Sequence, residues 1–291
     1  MKNLLRVNRR AGQVASVLLL LGIFGCSTVQ NLVNIKKPNV SIENVRLTGM
    51  SLSDLDLAVA LKVDNPNQLT ADLEGFDFDF QINQSSFLKG QQDNPQTIEA
   101  MKSSSFEVPL KINFKDLYST YSTLKSQDNS TYKIDFGLAF NLPVLGKTRI
   151  PVSHEGEFPL IKVPSVKIST LKINKLNLTG ADVALELEID NPNAFGFSLK
   201  SLDYNFQVNG QEWAQGLTNR AVQIAEKGKG TLSIPVSLNF LEMGQTVFRL
   251  LSGDNTVNYN FDGKFALDSS LPLLKDINLP VTRAGELVIT R

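Results

Sequence analysis

Residues 55–67 read LDLAVALKVDNPN, and residues 183–193 read VALELEIDNPN. Each run alternates apolar and polar side chains and then stops at Asp-Asn-Pro-Asn. In the first, Leu55, Leu57, Val59, Leu61 and Val63 share one face, with Asp56, Lys62 and Asp64 among the residues opposite. A period of two is the mark of a half-buried strand. Pro66 and Pro192 end the strand, because proline lacks an N–H and restricts the residue before it. The flanking asparagines, Asn65 and Asn67 or Asn191 and Asn193, hydrogen-bond nearby backbone and tolerate left-handed conformations. Two readings follow for the tetrapeptide: a structural turn, which is preferred, or a ligand loop built from two amides.

The second copy uncovers a duplication. With a shift of 126 positions PNVSI (38–42) falls on PSVKI (164–168), and FQIN (80–83) on FQVN (206–209). In the same register VPLKINF (108–114) falls on IPVSLNF (234–240), so the match runs without a gap for about 75 residues. After small insertions PVLGKTRIPVSHEGEF (143–158) matches PLLKDINLPVTRAGEL (272–287). Two homologous domains are expected, 38–160 and 164–291, with Lys162, Val163 and Pro164 as a short hinge.

Further alternating runs, FDFDFQIN and FEVPLKI in the first half, bring the expected count to about seven strands per domain. Pro109 and Pro235 cannot donate to a ladder, which places their strands at an edge or a bulge. One segment per half has helical spacing instead: Leu117, Tyr121 and Leu124, then Leu241, Val247, Phe248 and Leu251. The fold class is therefore all-β, two tandem sandwiches with one short helix each.

The N-terminus reads as an export signal. Lys2, Arg6, Arg9 and Arg10 precede VASVLLLLGIFG, an apolar run that ends at Cys26 and falls short of the roughly 20 residues a spanning helix needs. Ile23-Phe24-Gly25-Cys26 resembles the lipobox of bacterial lipoproteins, although Phe24 is larger than usual there. That resemblance implies cleavage between Gly25 and Cys26, lipidation of Cys26, and residues 26–37 as a tether. The sequence holds no other cysteine, so lipidation leaves no thiol for disulfides or catalysis. By resemblance to Gram-negative lipoproteins, Ser27 in place of Asp implies delivery to the outer membrane, where the chain is expected to face the periplasm from the inner leaflet. The tether spans at most about 36 Å.

Removal of the four basic residues Lys2, Arg6, Arg9 and Arg10 takes 29 basic side chains to 25 against 29 acidic ones, a net charge of about −4. No basic patch argues for nucleic acid. His154 is the single histidine and falls in an expected loop, so neither a multi-histidine metal site nor a Ser-His pair suggests itself. No cofactor is expected. EKGKGT (226–231) lacks the spacing of a phosphate loop. Asp77 and Asp79 alternate with phenylalanine and read as the wet face of a strand. Trp213, near a hairpin tip, reads as local packing ahead of a partner or membrane contact.

The alternating strand that ends in Asn65-Pro66-Asn67, and again in Asn191-Pro192-Asn193, resembles the late embryogenesis abundant type 2 family, whose module is also called the water stress and hypersensitive response (WHy) domain. The resemblance covers both halves. It implies fibronectin-III-like sandwiches, an association with desiccation and other stress, and no catalytic residues. The leading expectation is a non-enzymatic, membrane-anchored envelope protein that protects or scaffolds, with an envelope protein or lipid as partner. The alternative is a carrier that holds a lipid or other apolar ligand in a groove. An enzyme, such as a hydrolase, is the third reading.

Overall fold

Alternating runs give each strand one dry face, and a dry face is buried only by packing against another sheet. The computed structural model describes residues 35–253 and 256–291. The expected signal sequence, Gly25, Cys26 and most of the tether lie outside the described residues.

In the first repeat, β1 (Asn39–Met50), β2 (Asp54–Asp64), β3 (Ala71–Ile82), β4 (Ser85–Ile98), β5 (Ser103–Asn113), β6 (Asn129–Leu142) and β7 (Gly146–Pro159) form two sheets. Their orders are β1-β2-β5 and β4-β3-β6-β7. The second repeat contains β8 (Ser165–Leu176), β9 (Gly180–Asp190), β10 (Phe197–Val208), β11 (Gln211–Thr218), β12 (Val222–Ile224), β13 (Lys229–Asn239), β14 (Thr256–Ser269) and β15 (Ile277–Thr290). The same two layers recur as β8-β9-β13 and β11-β10-β14-β15, with β12 also paired to β10. Here a short parallel pairing, Ile289 with Leu171 and Thr290 with Lys172, joins the layers at one edge.

The all-β, tandem-sandwich expectation holds. The second repeat has eight strands where about seven were expected, for a local reason. In the first repeat a bulge opposite Glu74 bends β4 but leaves it continuous. In the second, residues 219–221 face only Lys200 and Ser201, and the strand breaks into β11 and β12. Pro109 and Pro235 lie in β5 and β13, both at sheet edges.

One helix per domain needs correction too. The first repeat has α1 (Phe114–Thr120) followed by a 3₁₀ turn, Ser122–Ser126. The second has α2 (Phe240–Met243) and α3 (Gln245–Gly253), separated by Gly244 at φ +90°. That value suits glycine and stops the helix. Asn113 and Asn239 cap the first helix of each repeat through their side-chain oxygens. Leu117, Leu124, Val247 and Leu251 are buried as expected. Leu241 is not: it is 83% exposed, and Phe240 takes the buried place.

The core is as the period-two pattern requires. Leu55, Leu57, Val59, Leu61 and Val63 are all at most 2% exposed. Phe80, Phe136, Phe140 and Phe158 are buried with them, with Phe76 within 5.9 Å of Phe136 between ring centroids. By contacts the chain divides into two compact units. Of the described residues, one comprises those up to Arg46, Ala58–Leu110 and Thr131–Phe158; the other comprises Leu47–Leu57, Lys111–Ser130 and the described part of 159–291.

Candidate functional site

The Asn-Pro-Asn turns are built almost entirely out of water. Asn65 and Asn67 are 2% and 8% exposed, and Asn191 and Asn193 are fully buried. A buried amide must find partners or lose the free energy of its hydration. In the second repeat Asn191 Nδ2 donates to the carbonyls of Phe195 (2.6 Å) and Ala225 (2.9 Å). Its Oδ1 accepts from both the backbone N–H and the Nδ2 of Asn193, at 3.0 Å each. Asn193 in turn clasps the chain just before β8: its Oδ1 accepts from Lys162 N and its Nδ2 donates to Lys162 O, both at 2.8 Å.

The first repeat reproduces this bond for bond. Asn65 Nδ2 donates to the carbonyls of Leu69 (2.8 Å) and Glu99 (3.2 Å), the counterparts of Phe195 and Ala225, and in addition reaches that of Ile98 (3.1 Å), and its Oδ1 accepts from Asn67. Asn67 exchanges two bonds with the backbone of Lys36, at 2.8 and 2.9 Å. Backbone bonds complete both sites. Met101 N–H donates to Asn67 O, and Asn65 N–H to Lys102 O. At positions 126 further on, Lys227 N–H donates to Asn193 O and Asn191 N–H to Gly228 O. Met101 and Lys227 adopt the same left-handed conformation, φ +57° and +50°.

Each motif therefore ties three segments together: the chain entering the repeat's first strand, the turn after its second, and the turn before β5 or its counterpart β13. Both hydrogens of the first asparagine's amide are committed to carbonyls and its oxygen accepts twice. Such an amide is a fastener, with nothing left to offer a ligand. Sequence reasoning expected bonds to nearby backbone, which fall two and four residues on. It missed the clasps on Lys36 and Lys162 and the turns at Met101 and Lys227. The repeat alignment, which superposes all of them, is the one signal that pointed there.

Beside the second motif stands a small ion cluster. Lys227 Nζ donates to Pro192 O at 2.9 Å and also pairs with Asp128, whose carboxylate lies 3.3 Å from Lys162 Nζ. The bond from Lys227, then that from Lys162, holds the Asp128 carboxyl below the usual range against the opposing effect of burial. EKGKGT is thus the β12–β13 turn, fastened to Asn191 and Asn193.

Other residues singled out in sequence have plain positions. Asp77 is gripped by Arg149 at 2.6 and 2.9 Å on an exposed face, which lowers its pKa. Asp79 accepts from Ser86 Oγ at 2.7 Å. His154 is not in a loop: it lies within β7, half-buried, its ring 6.2 Å from that of Tyr132. The polar run Ser153-His154-Glu155 hid the strand because its outer face is wet. Trp213 is buried in β11, 7% exposed. Among the described residues no group of three or more His, Cys, Asp or Glu is placed to hold a metal.

Four tyrosines make the fold sensitive to alkali. Burial raises the phenols of Tyr118, Tyr132, Tyr204 and Tyr259, that of Tyr118 to about 12. Tyr118 keeps its proton to donate to Ile161 O at 2.9 Å. A raised pKa contributes stability below the unfolded value near 10 and loses it as pH climbs toward the folded one. The urea midpoint is expected to hold steady from pH 8 to 9.5 and to fall between pH 10 and 12, in step with tyrosinate absorbance.

Both repeats match one protein-family description. The model for the late embryogenesis abundant protein family (LEA_2) aligns with residues 60–156 and again with residues 186–284. The chain belongs to this family. Similar to this late embryogenesis abundant protein is Lea14-A of Gossypium hirsutum, 26% identical over 138 residues, which are 47% of this chain and 89% of the cotton protein. The desiccation-related protein At2g46140 of Arabidopsis thaliana is 25% identical over 47% of this chain and 81% of its own length. Each of these relatives thus corresponds in length to about one repeat. Among solved structures, that of AT1g01470 from Arabidopsis thaliana is 23% identical, with TM-score 0.37 over 44% of this chain and 85% of that one.

Proposed function

We propose that this late embryogenesis abundant protein is a non-enzymatic, lipid-anchored envelope protein that protects or scaffolds the envelope during drying or osmotic stress. The observation that carries the reading is the family match over both repeats, with a similar protein of Arabidopsis thaliana named as desiccation-related. The use of the motif supports it. The polar residues that look most like a site, Asn65, Asn67, Asn191 and Asn193, are occupied in holding the fold. The aromatic residues that would line a groove for an apolar ligand are core: Phe80, Phe206 and Phe261 are fully buried.

The anchor rests on Ile23-Phe24-Gly25-Cys26 and on the charged, short apolar segment before it. Several acyl chains on Cys26, at about 0.8 kcal/mol per buried CH₂, make a durable attachment. Its site is the inner leaflet of the outer membrane, facing the periplasm. Cys26→Ser is expected to leave the chain uncleaved or soluble, as membrane fractionation reads it; a variant that fractionates like the parent contradicts the anchor. The function is tested in a deletion strain scored for survival of drying and osmotic shock. Complementation by the parent chain should restore survival and Cys26→Ser should not. Equal survival of deletion and parent strains rejects the protective role.

A further inference from the structure

Three turns of the first repeat meet at one end. β3 runs away from its Asn-Pro-Asn turn, and where it starts Ala71 pairs with Ile98 and Asp72 with Asn141. The turn at Met101 and the β6–β7 turn therefore stand beside residues 65–70, all within one compact unit. The chain also enters here, because Asn67 clasps the backbone of Lys36.

This end turns apolar side chains to water. Met101 is 69% exposed, Val144 73% and Leu145 44%. Val144 is held at φ +68°, a conformation that β-branched residues rarely take. The fold itself does not require the exposure. At the equivalent end of the second repeat Lys227 stands in the place of Met101, tied to Pro192 O and Asp128, and Leu274 stands in the place of Leu145 and is buried. Grouped water-facing apolar side chains mark protein or membrane contacts.

The charge at this end decides between them. Residues 35–38, 65–70, 99–102 and 143–146 hold Lys36, Lys37 and Lys102 against one acid, Glu99, which pairs with Lys102. All three lysines are exposed. Just inside, Lys147 pairs with Glu74, and Asp72 accepts from Thr97 Oγ1. The end is thus locally basic on a chain whose expected mature form is net acidic.

We propose that this end lies on the phospholipid surface that holds the anchor, with Met101, Val144 and Leu145 in the headgroup layer and Lys36, Lys37 and Lys102 on lipid phosphates. The proposal rests on the anchoring reading. Its occupant is lipid because the tether leaves from this same end: Lys36 follows Cys26 by ten residues, a reach of at most about 33 Å. An acyl anchor joined to a basic, apolar patch makes a two-signal attachment.

Fluorescent probes on the full chain test it. The parent, Met101→Cys, Val144→Cys and Gln84→Cys chains are treated with a polarity-sensitive maleimide dye and reconstituted in vesicles of phosphatidylethanolamine and phosphatidylglycerol. Gln84 is an exposed control in the turn at the other end of β3. The parent, its Cys26 lipidated, should take no dye. The dye at 101 and 144 should shift to the blue and be quenched by doxyl-labelled lipid, while that at 84 keeps its emission in water. Lys36→Gln, Lys37→Gln and Lys102→Gln together should remove most of the quenching without moving thermal unfolding. Chains that float with the vesicles while the dye at 101 and 144 stays water-like overturn the docking and leave the anchor standing. Chains that do not float overturn both. Blue-shifted dye that the lipid does not quench shows a protein over this end, such as a second copy, and rejects the lipid. Quenching indifferent to the three glutamines contradicts the phosphate contacts.

Discussion

Asn191→Ala is expected to destabilise the protein by about 3–4 kcal/mol, because it orphans buried groups on both sides of the amide. The Phe195 carbonyl loses its donor and the Asn193 N–H its acceptor, while the Ala225 carbonyl and Asn193 Nδ2 each lose one of two bonds, keeping Gly228 N–H and Lys162 O. With typical domain stabilities of about 5–15 kcal/mol, that is a large share. Asn191→Asp is expected to be at least as harmful. It keeps the acceptor but sets a carboxylate oxygen against two carbonyl oxygens in a site with no water exposure. Gln68→Ala, one residue past the first motif and exposed, should shift the urea midpoint by less than about 0.5 kcal/mol. If the motif were a ligand loop, Asn191→Ala would leave the midpoint where it was.

Gly263→Phe is the second large effect, and its partial rescue is the sharper result. The two repeats fill the same part of the core with the ring at different places. In the first, Ile134 and Phe136 point inward, and Phe136 stands opposite Phe78 across β3 and β6. In the second, Phe261 and Gly263 take those places, with Gly263 opposite Tyr204. A Cβ on Gly263 would come within 2.7 Å of the Phe261 ring and 3.1 Å of Leu202. Overpacking of this kind costs about 1–3 kcal/mol, and a full phenyl ring belongs at or above the top of that range. Adding Phe261→Ile recreates the arrangement of the first repeat and should recover most of the loss. The coupling between the two sites, read from denaturant unfolding of both single variants and the double, should be strong and favourable. Additive costs would show that the repeats do not share this core exchange.

How far the sequence could be read depended on the range of the interactions. Period two is local, so the buried face of β2 was legible residue by residue from Leu55 to Val63. The duplication was legible because its register is long and almost free of gaps. The clasps of Asn67 on Lys36 and of Asn193 on Lys162 join residues 31 apart and leave no periodic trace. Leu241 was misplaced because Gly244 breaks the helix, so residues on either side of it do not share one helical face. His154 was misplaced because polar side chains on the outer face of β7 look like a loop. The split of β4's counterpart into β11 and β12 depends on a bulge, one residue of mismatch between partners that alternation does not record.

The structural role of the repeated Asn-Pro-Asn can be read directly from the amides themselves. Hydrogen exchange of the Asn65 and Asn191 side-chain amides, followed by NMR, measures how often each fastener opens. Because each Nδ2 donates to at least two backbone carbonyls out of solvent, both pairs of protons should exchange only through unfolding of their repeat, as slowly as core strand amides. Exchange at the rate of a free asparagine side chain, in either repeat, would contradict the fastener and return the motif to the surface.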